Sequence, residues 1–387
     1  MVVVISPVPV LPTDSGNKAR ILSLLRQLRA HDMPFHFLQI RHELGDEAAM
    51  RDELGEENCT FIDYVKPTGA IHRIRQMTRH ILKKLGISRI VWPYRIDEFC
   101  SVDLAESVKN ACADLNPTTV QVTYVFFSRI FDCFGADVRK LLDTHDVFAD
   151  RHHIYRRMRR PPEWWYTTRA QEAKGIGRAD CVMAIQERER AHFAVRSSRK
   201  VVTVGHIVDI VQHESHGRVG GRLVLLGSSH TSNRHGCDLF LNEIWPVIRN
   251  ARPGACVDLY GKICDCYQVV PEGVNLRGYA DNLNAVYAGA SIILAPVWLG
   301  TGLKIKSIEA LGHGKALVCT PAAADGLEDG AGHAFVLAVT PSDFAEKTIA
   351  LLDDDKERLR LEAGAMAYAM EWNEMQWNTY ESVLALP

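Results

Sequence analysis

The sequence has no uninterrupted apolar run of the roughly 20 residues that a membrane-crossing helix needs, so no such span is expected. It opens directly on a strand-like segment, 2–5, with no basic leader and no cleavage site, and a secretory signal is not expected either. Charge of one sign is not in excess. The 45 Lys and Arg against 47 Asp and Glu leave a formal net charge of −2, which gives no overall pull toward nucleic acid. The ten cysteines include no CxxC pair, the nearest two being Cys264 and Cys266, so neither a zinc site nor a disulfide framework is indicated. A reduced, cytoplasmic setting is the simplest expectation. Internal repeats and low-complexity tracts are missing. So are the GxxxxGK[ST] spacing and, after the first strand, GxGxxG, which disfavours both an NTPase and a dinucleotide enzyme.

What is present is an end-to-end alternation of apolar strands with helical segments, the pattern of parallel sheets covered by helices on both faces. A length of 387 residues suits two such α/β domains. Strands at 2–5, 35–40, 59–65, 119–125, 139–144, 181–185 and 201–204 would build the first sheet. Those at 222–226, 255–260, 274–276, 291–295, 316–319 and 334–337 would build the second. Segment 206–221 is polar, glycine-bearing and aperiodic, and reads as a linker. The expected division is therefore 1–205, linker 206–221, 222–364, and closing helices over 365–387.

Residues 297–315 carry the strongest signal, as a glycine loop that leaves one apolar strand and enters a helix leading to the next. Gly300 and Gly302 free the backbone to approach an anion, the helix start offers unpaired N–H groups, and Lys304 and Lys306 add positive charge. Glu309 lies just over a turn into that helix. A ligand that offers diphosphate to the loop and sugar hydroxyls to the carboxylate is a nucleoside diphosphate. The same loop could also be ordinary α/β architecture with a solvated helix start.

In the first domain, Ser15, Gly16 and Asn17 stand at the start of the first helix, where they could cap it or face a phosphate or an acceptor. Arg20, one turn on, could join them or be a solvated side chain. The run Asp143-Thr144-His145-Asp146 places polar groups abruptly at the C-terminal end of an apolar strand, where ligands of doubly wound sheets collect. His145 is either a hydrogen-bonded structural residue or a catalyst. Asp146 could orient an acceptor or the histidine, and Asp143 and Asp150 are weaker candidates.

Gly300-Thr301-Gly302-Leu303-Lys304-Ile305-Lys306-Ser307-Ile308-Glu309-Ala310-Leu311-Gly312 resembles the donor-site signature of retaining GT-B glycosyltransferases of the Glu-x7-Glu group, which build bacterial polysaccharides. The resemblance implies two Rossmann-like domains facing a cleft, with a tail that returns to the first domain. It implies that Glu309 grips the ribose hydroxyls, and that the donor also meets Gly16, Gly300, Gly302, Leu303, Lys304 and Lys306. The group's first Glu falls at Thr301, a departure at a position that helps hold the donor sugar. The loop after the first strand of the second domain has Ser228 in place of the usual Arg, with Asn233 and Arg234 near the usual Lys. Ser228, Ser229 and Asn233 could still donate hydrogen bonds to the donor, or form a plain turn. Tyr279, after Gly278, resembles the place where the base meets the backbone. His145 resembles the histidine that contacts the donor sugar, and Ser15, Asn17 and Arg20 fall on the acceptor side.

The chemistry so implied is transfer of a glycosyl group from a nucleotide sugar to a hydroxyl of a glycan or lipid-linked acceptor, with retention. Lys304, Lys306 and the helix amides would stabilise the departing diphosphate. No metal or other cofactor is expected, because the nearest acidic cluster, Asp353-Asp354-Asp355, is better placed to cap a helix. Segment 70–95 interleaves His72, Arg73, Arg75, Arg79, His80, Lys83, Lys84, Arg89 and Arg95 with Ile71, Ile74, Met77, Ile81, Leu82 and Leu85 at helical spacing, and 151–160 forms a second basic cluster before Trp164 and Trp165. These suit the inner face of an anionic membrane or a lipid-linked acceptor; alternatively, the first packs its apolar stripe on the domain. Nucleic acid is not indicated. Two other classes stay open: a nucleotide-sugar epimerase or hydrolase, and a non-catalytic nucleotide-sugar-binding subunit, which Thr301 keeps in play.

Overall fold

The computed structural model describes residues 1–67, 69–85, 93–153, 165–213, 221–280, 282–300 and 302–385. The chain forms two compact units: 1–205 together with 377–387, and 206–376. Thr301, the second basic cluster from 154 onward and part of the expected linker, 214–220, lie outside the described residues.

In the first unit, strands β1 (Val2–Ser6), β2 (Phe35–Ile40), β3 (Cys59–Ile62), β4 (Thr119–Thr123), β5 (Arg139–Asp143), β6 (Cys181–Ala184) and β7 (Lys200–Thr203) form one sheet in the order β3-β2-β1-β4-β5-β6-β7. All its pairings are parallel. The second unit repeats the plan with β8 (Arg222–Leu226), β9 (Cys256–Tyr260), β10 (Val274–Gly278), β11 (Ile292–Ala295), β12 (Leu317–Cys319) and β13 (Val336–Leu337), in the order β10-β9-β8-β11-β12-β13, again all parallel. Both are Rossmann-like α/β sheets, as the alternating pattern predicts.

Each of the thirteen expected strands is present, and the differences lie at their ends. The fourth stops at Thr123, because Tyr124 takes a positive φ of 66° and turns the chain into the short helical stretch Val125–Cys133. β1 is buried on both faces, which is why its sequence, Val-Val-Val-Ile, is continuously apolar and does not alternate. The helix Gly16–Ala30 lies against β2 and buries Leu24, Leu25 and Leu28. In the second unit Phe240, Ile244, Trp245 and Phe344 close over Val257, Ile292 and Leu294.

The last helix, Asp355–Leu384, anchors two different segments. Trp372 Nε1 donates to His206 O at 2.8 Å, and Asn373 exchanges hydrogen bonds with the Val208 backbone at 3.0 and 2.7 Å. The segment read as linker thus begins as packed backbone, with Ile207 and Val208 buried in the second unit. Farther along, Tyr380 donates its hydroxyl to Gln121 Oε1 at 2.6 Å within the first unit.

Strand order fixes where ligands can collect. Each sheet reverses its direction of growth once, between β1 and β4 and between β8 and β11, and the loops leaving the carboxyl ends of those strands flank a crevice.

Candidate functional site

In the first unit, the crevice is bordered by the start of helix Gly16–Ala30 and by the ends of β4 and β5. Ser15 has the extended backbone of an N-cap residue, but its side chain makes no capping bond. Its hydroxyl donates instead to Asn17 Oδ1 at 2.7 Å, and Asn17 Nδ2 donates to the Tyr124 hydroxyl at 2.8 Å. Ser15 and Gly16 are exposed, and Asn17 is half-buried.

Arg20 is not a solvated side chain. It shares a helix face with Leu24 and Leu28, one and two turns on, and is fully buried. Its Nε and Nη2 fork onto Asp143 at 3.0–3.2 Å. With no exposed surface, it cannot touch an acceptor from this position. Asp143 ends β5 and is also fully buried. Burial opposes its charge, but Arg20 and then His145 outweigh that and hold the carboxyl below its ordinary value.

His145 takes a left-handed backbone, φ 59°, uncommon for a residue with a side chain and a conformation that gathers at functional sites. Its Nε2 lies 3.2 Å from Asp143 Oδ2, and its ring stacks on Tyr124 with centroids 4.6 Å apart. Asp143, the weaker candidate by sequence, is therefore the carboxylate against the histidine. Asp146 points elsewhere, 3.4 Å from Arg151 Nη1, and stays partly exposed. Glu189, in the helix after β6, is buried nearby; burial and then the charge of Asp146 push its carboxyl up to about 8. Tyr124 and Glu189 carry no motif, and only the fold brings them to this cluster.

In the second unit, β11 delivers the glycine loop. Gly300 and Gly302 have φ of 103° and 93°, conformations that only glycine adopts freely. Gly302 N donates to Asp325 Oδ2 at 2.9 Å, and Lys304 Nζ donates to Gly302 O at 2.6 Å, so the loop is held from within. Leu303 is buried beneath it. The helix Ile305–Gly312 then opens at Lys304 with no side chain closing its first turn and no acidic residue in it, as anion binding at a helix start requires. Glu309 accepts from Lys306 Nζ at 2.7 Å and from the Tyr287 hydroxyl at 3.3 Å, both on Oε2. Burial and then Glu309 raise the Tyr287 hydroxyl well above its ordinary value, so it stays a donor.

Beside β11, the loop leaving β8 exposes Ser228 and Ser229, and Asn233 Nδ2 donates to Ser228 Oγ at 2.8 Å. Gly278 ends β10 at φ 71°, and Tyr279 after it is 57% exposed. Ser228, Ser229, Asn233, Gly300, Gly302, Lys304, Lys306 and Glu309 thus all belong to the loops and helix starts flanking the β8/β11 crevice. Tyr279 leaves a strand two places farther along the sheet. The acidic run 353–355 is spent on structure. Asp354 Oδ1 caps the last helix by accepting from Glu357 N at 2.9 Å, and Asp353 pairs with Arg252.

The class so defined is a protein of two Rossmann-like domains, the second with an anion-ready glycine loop followed by a carboxylate. Residues 220–354 match the family described as Glycosyl transferases group 1. No curated protein sequence matches the chain. Among solved structures, TarM is similar over 99% of this chain and 98% of its own, at 10% identity and a TM-score of 0.71. Pneumococcal O-GlcNAc transferase GtfA, in complex with UDP and GlcNAc, is similar over 99% of this chain and 98% of its own at 12% identity, TM-score 0.68. Anabaena HepE in complex with UDP is similar over 98% of this chain and 99% of its own at 12% identity, TM-score 0.66. The fold is that of GT-B transferases.

Proposed function

We propose that the protein is a glycosyltransferase that takes a sugar from a nucleoside-diphosphate sugar bound at the β8/β11 crevice and passes it to a hydroxyl of a glycan or lipid-linked acceptor. The observation that carries this reading is the second-unit site itself. Two glycines in positive φ lead into a helix with an open first turn, two lysines flank its start, and a half-buried carboxylate follows one turn in. The stretch that matches the transferase family contains all of these residues. The UDP present in the HepE and GtfA complexes is a ligand of the expected chemistry.

In this reading Lys304 and Lys306 stabilise the charge that develops on the departing diphosphate, and Glu309 Oε1, which no described residue engages, accepts the ribose hydroxyls. Lys306 then leaves its pairing with Glu309 for phosphate. Ser228, Ser229 and Asn233 add hydrogen bonds, Leu303 and Tyr279 line the nucleotide, and Gly16 and His145 serve the phosphate and the transferred sugar. Ser15 and Asn17 face the acceptor, while Arg20 and Asp143 hold His145 in place. Transfer proceeds with retention and without a metal ion, in cytoplasmic synthesis of bacterial surface polysaccharide or glycoconjugate.

Thr301 in place of a carboxylate specifically favours a second reading, a subunit that binds nucleotide sugar and transfers nothing. Chromatography of nucleotide and sugar products, with and without acceptor extracts, decides. Glycoside formed only with acceptor supports transfer. Free sugar or an epimer without acceptor points to a hydrolase or epimerase, and donor binding with no product at all supports the silent subunit.

A further inference from the structure

The helix Ala70–Lys84 is turned the opposite way from an ordinary amphipathic surface helix. Arg75 and Arg79 face the protein. Arg75 Nη2 donates to Pro93 O at 2.6 Å, Arg79 Nη2 to Glu98 Oε2 at 2.8 Å, and the Arg79 guanidinium lies 3.8 Å over the Tyr94 ring. Glu98 is buried and accepts these cations together with the Arg95 amide, so the inward face is a satisfied polar contact.

The apolar side faces out. Ile74 is 60% exposed, Met77 66%, Ile81 44% and Leu85, just beyond the helix, 65%. At about 100° per residue these four positions fall within about 80° of arc, forming one continuous stripe. Isolated exposed apolar side chains are normal on protein surfaces; four on a single stripe are not. Arg73, His80 and Lys84, all exposed, run along one flank of the stripe, and residues 70–85 include no Asp or Glu. No helix among the described residues is long and apolar enough to cross a membrane, so any bilayer contact through this helix is interfacial.

We infer that this stripe is a docking surface for an anionic lipid bilayer, in which Ile74, Met77, Ile81 and Leu85 enter the head-group boundary while Arg73 and Lys84 pair with lipid phosphates. Charge complementarity selects this occupant. An apolar stripe with Arg73 and Lys84 along one flank, on a segment without Asp or Glu, matches a surface that is apolar within and negative at its rim. The proposal does not depend on the transferase reading, because lipid binding needs no turnover.

The test is co-sedimentation of the full-length protein with vesicles of phosphatidylcholine alone or enriched in phosphatidylglycerol, at low and high salt. The protein should bind the anionic vesicles, weaken as salt rises, and bind the neutral ones little. A Met77→Glu/Ile81→Glu variant should lose partitioning by about tenfold or more, and Arg73→Glu/Lys84→Glu should lose the anionic preference. Both pairs are exposed, so melting temperature and nucleotide-sugar binding should match the wild type and show that the fold is intact. Equal binding by Met77→Glu/Ile81→Glu, or no binding to anionic vesicles at low salt, overturns the inference. So does a wild-type dimer in gel filtration that this variant converts to monomer, which would assign the stripe to a second copy.

Discussion

Two buried carboxyls lie at the first-unit site, and their shifts run in opposite directions. Asp143 sits fully buried between Arg20 and His145, so its removal strands a buried guanidinium. Asp143→Ala should cost about 3–5 kcal/mol in urea unfolding at neutral pH. Because the Asp143 carboxyl is held below its ordinary value, its contribution is present at neutral pH and fades on acidification below the usual carboxylate range. Glu189 behaves in reverse. Its carboxyl is raised to about 8, so the native state keeps a proton that the unfolded chain releases from about pH 4.5 upward. Stability should therefore fall between these two pH values, by on the order of a few kcal/mol, and level off above them. Glu189→Gln should flatten that part of a urea-midpoint profile; a profile parallel to the wild type would refute the assignment. His145→Ala should lower transfer by about a hundredfold or more while changing donor affinity little, and equal turnover would remove His145 from the chemistry.

Elements were more readable from the sequence than their contacts. Every strand announced itself through an apolar run, and the loop 300–304 through glycines that do adopt positive φ. The partners across the fold were silent. Arg20 read as either an acceptor contact or a solvated side chain because Asp143, which draws it inward, lies 123 residues away. Asp325, which holds Gly302 N, and Tyr287, which meets Glu309, belong to no local pattern. The basic helix Ala70–Lys84 was legible as amphipathic, but period alone could not say which face turns inward; Glu98 and Tyr94 decide that. Gly236 tests how tightly the two donor-side loops are coupled. A Cβ there would run into the carbonyl oxygen of Pro296, a backbone atom that cannot simply rotate away. Gly236→Ala should cost about 1–3 kcal/mol in thermal unfolding, and it should weaken nucleotide-sugar binding by displacing the loop after β11. A variant with unchanged melting and binding would show that the contact is slack.

At the scale of the whole molecule, two sheets of one plan divide the proposed work. In the proposed function most donor contacts come from the second unit, with Gly16 and His145 of the first reaching the phosphate and the transferred sugar, whereas transfer also needs Arg20 and Asp143 to hold His145 in place. Variants should separate accordingly: Glu309→Ala weakens donor binding by about tenfold or more, and His145→Ala changes it little. The most direct test of the central claim is a thermal-shift comparison of wild type and Glu309→Ala with UDP-, GDP-, dTDP- and ADP-sugars, with and without EDTA. A ligand that binds only the folded state raises its melting temperature. The account predicts a rise for the wild type with one nucleotide family, unchanged by EDTA and lost in Glu309→Ala. No rise with any of the four, or a rise that survives the loss of Glu309, would contradict it.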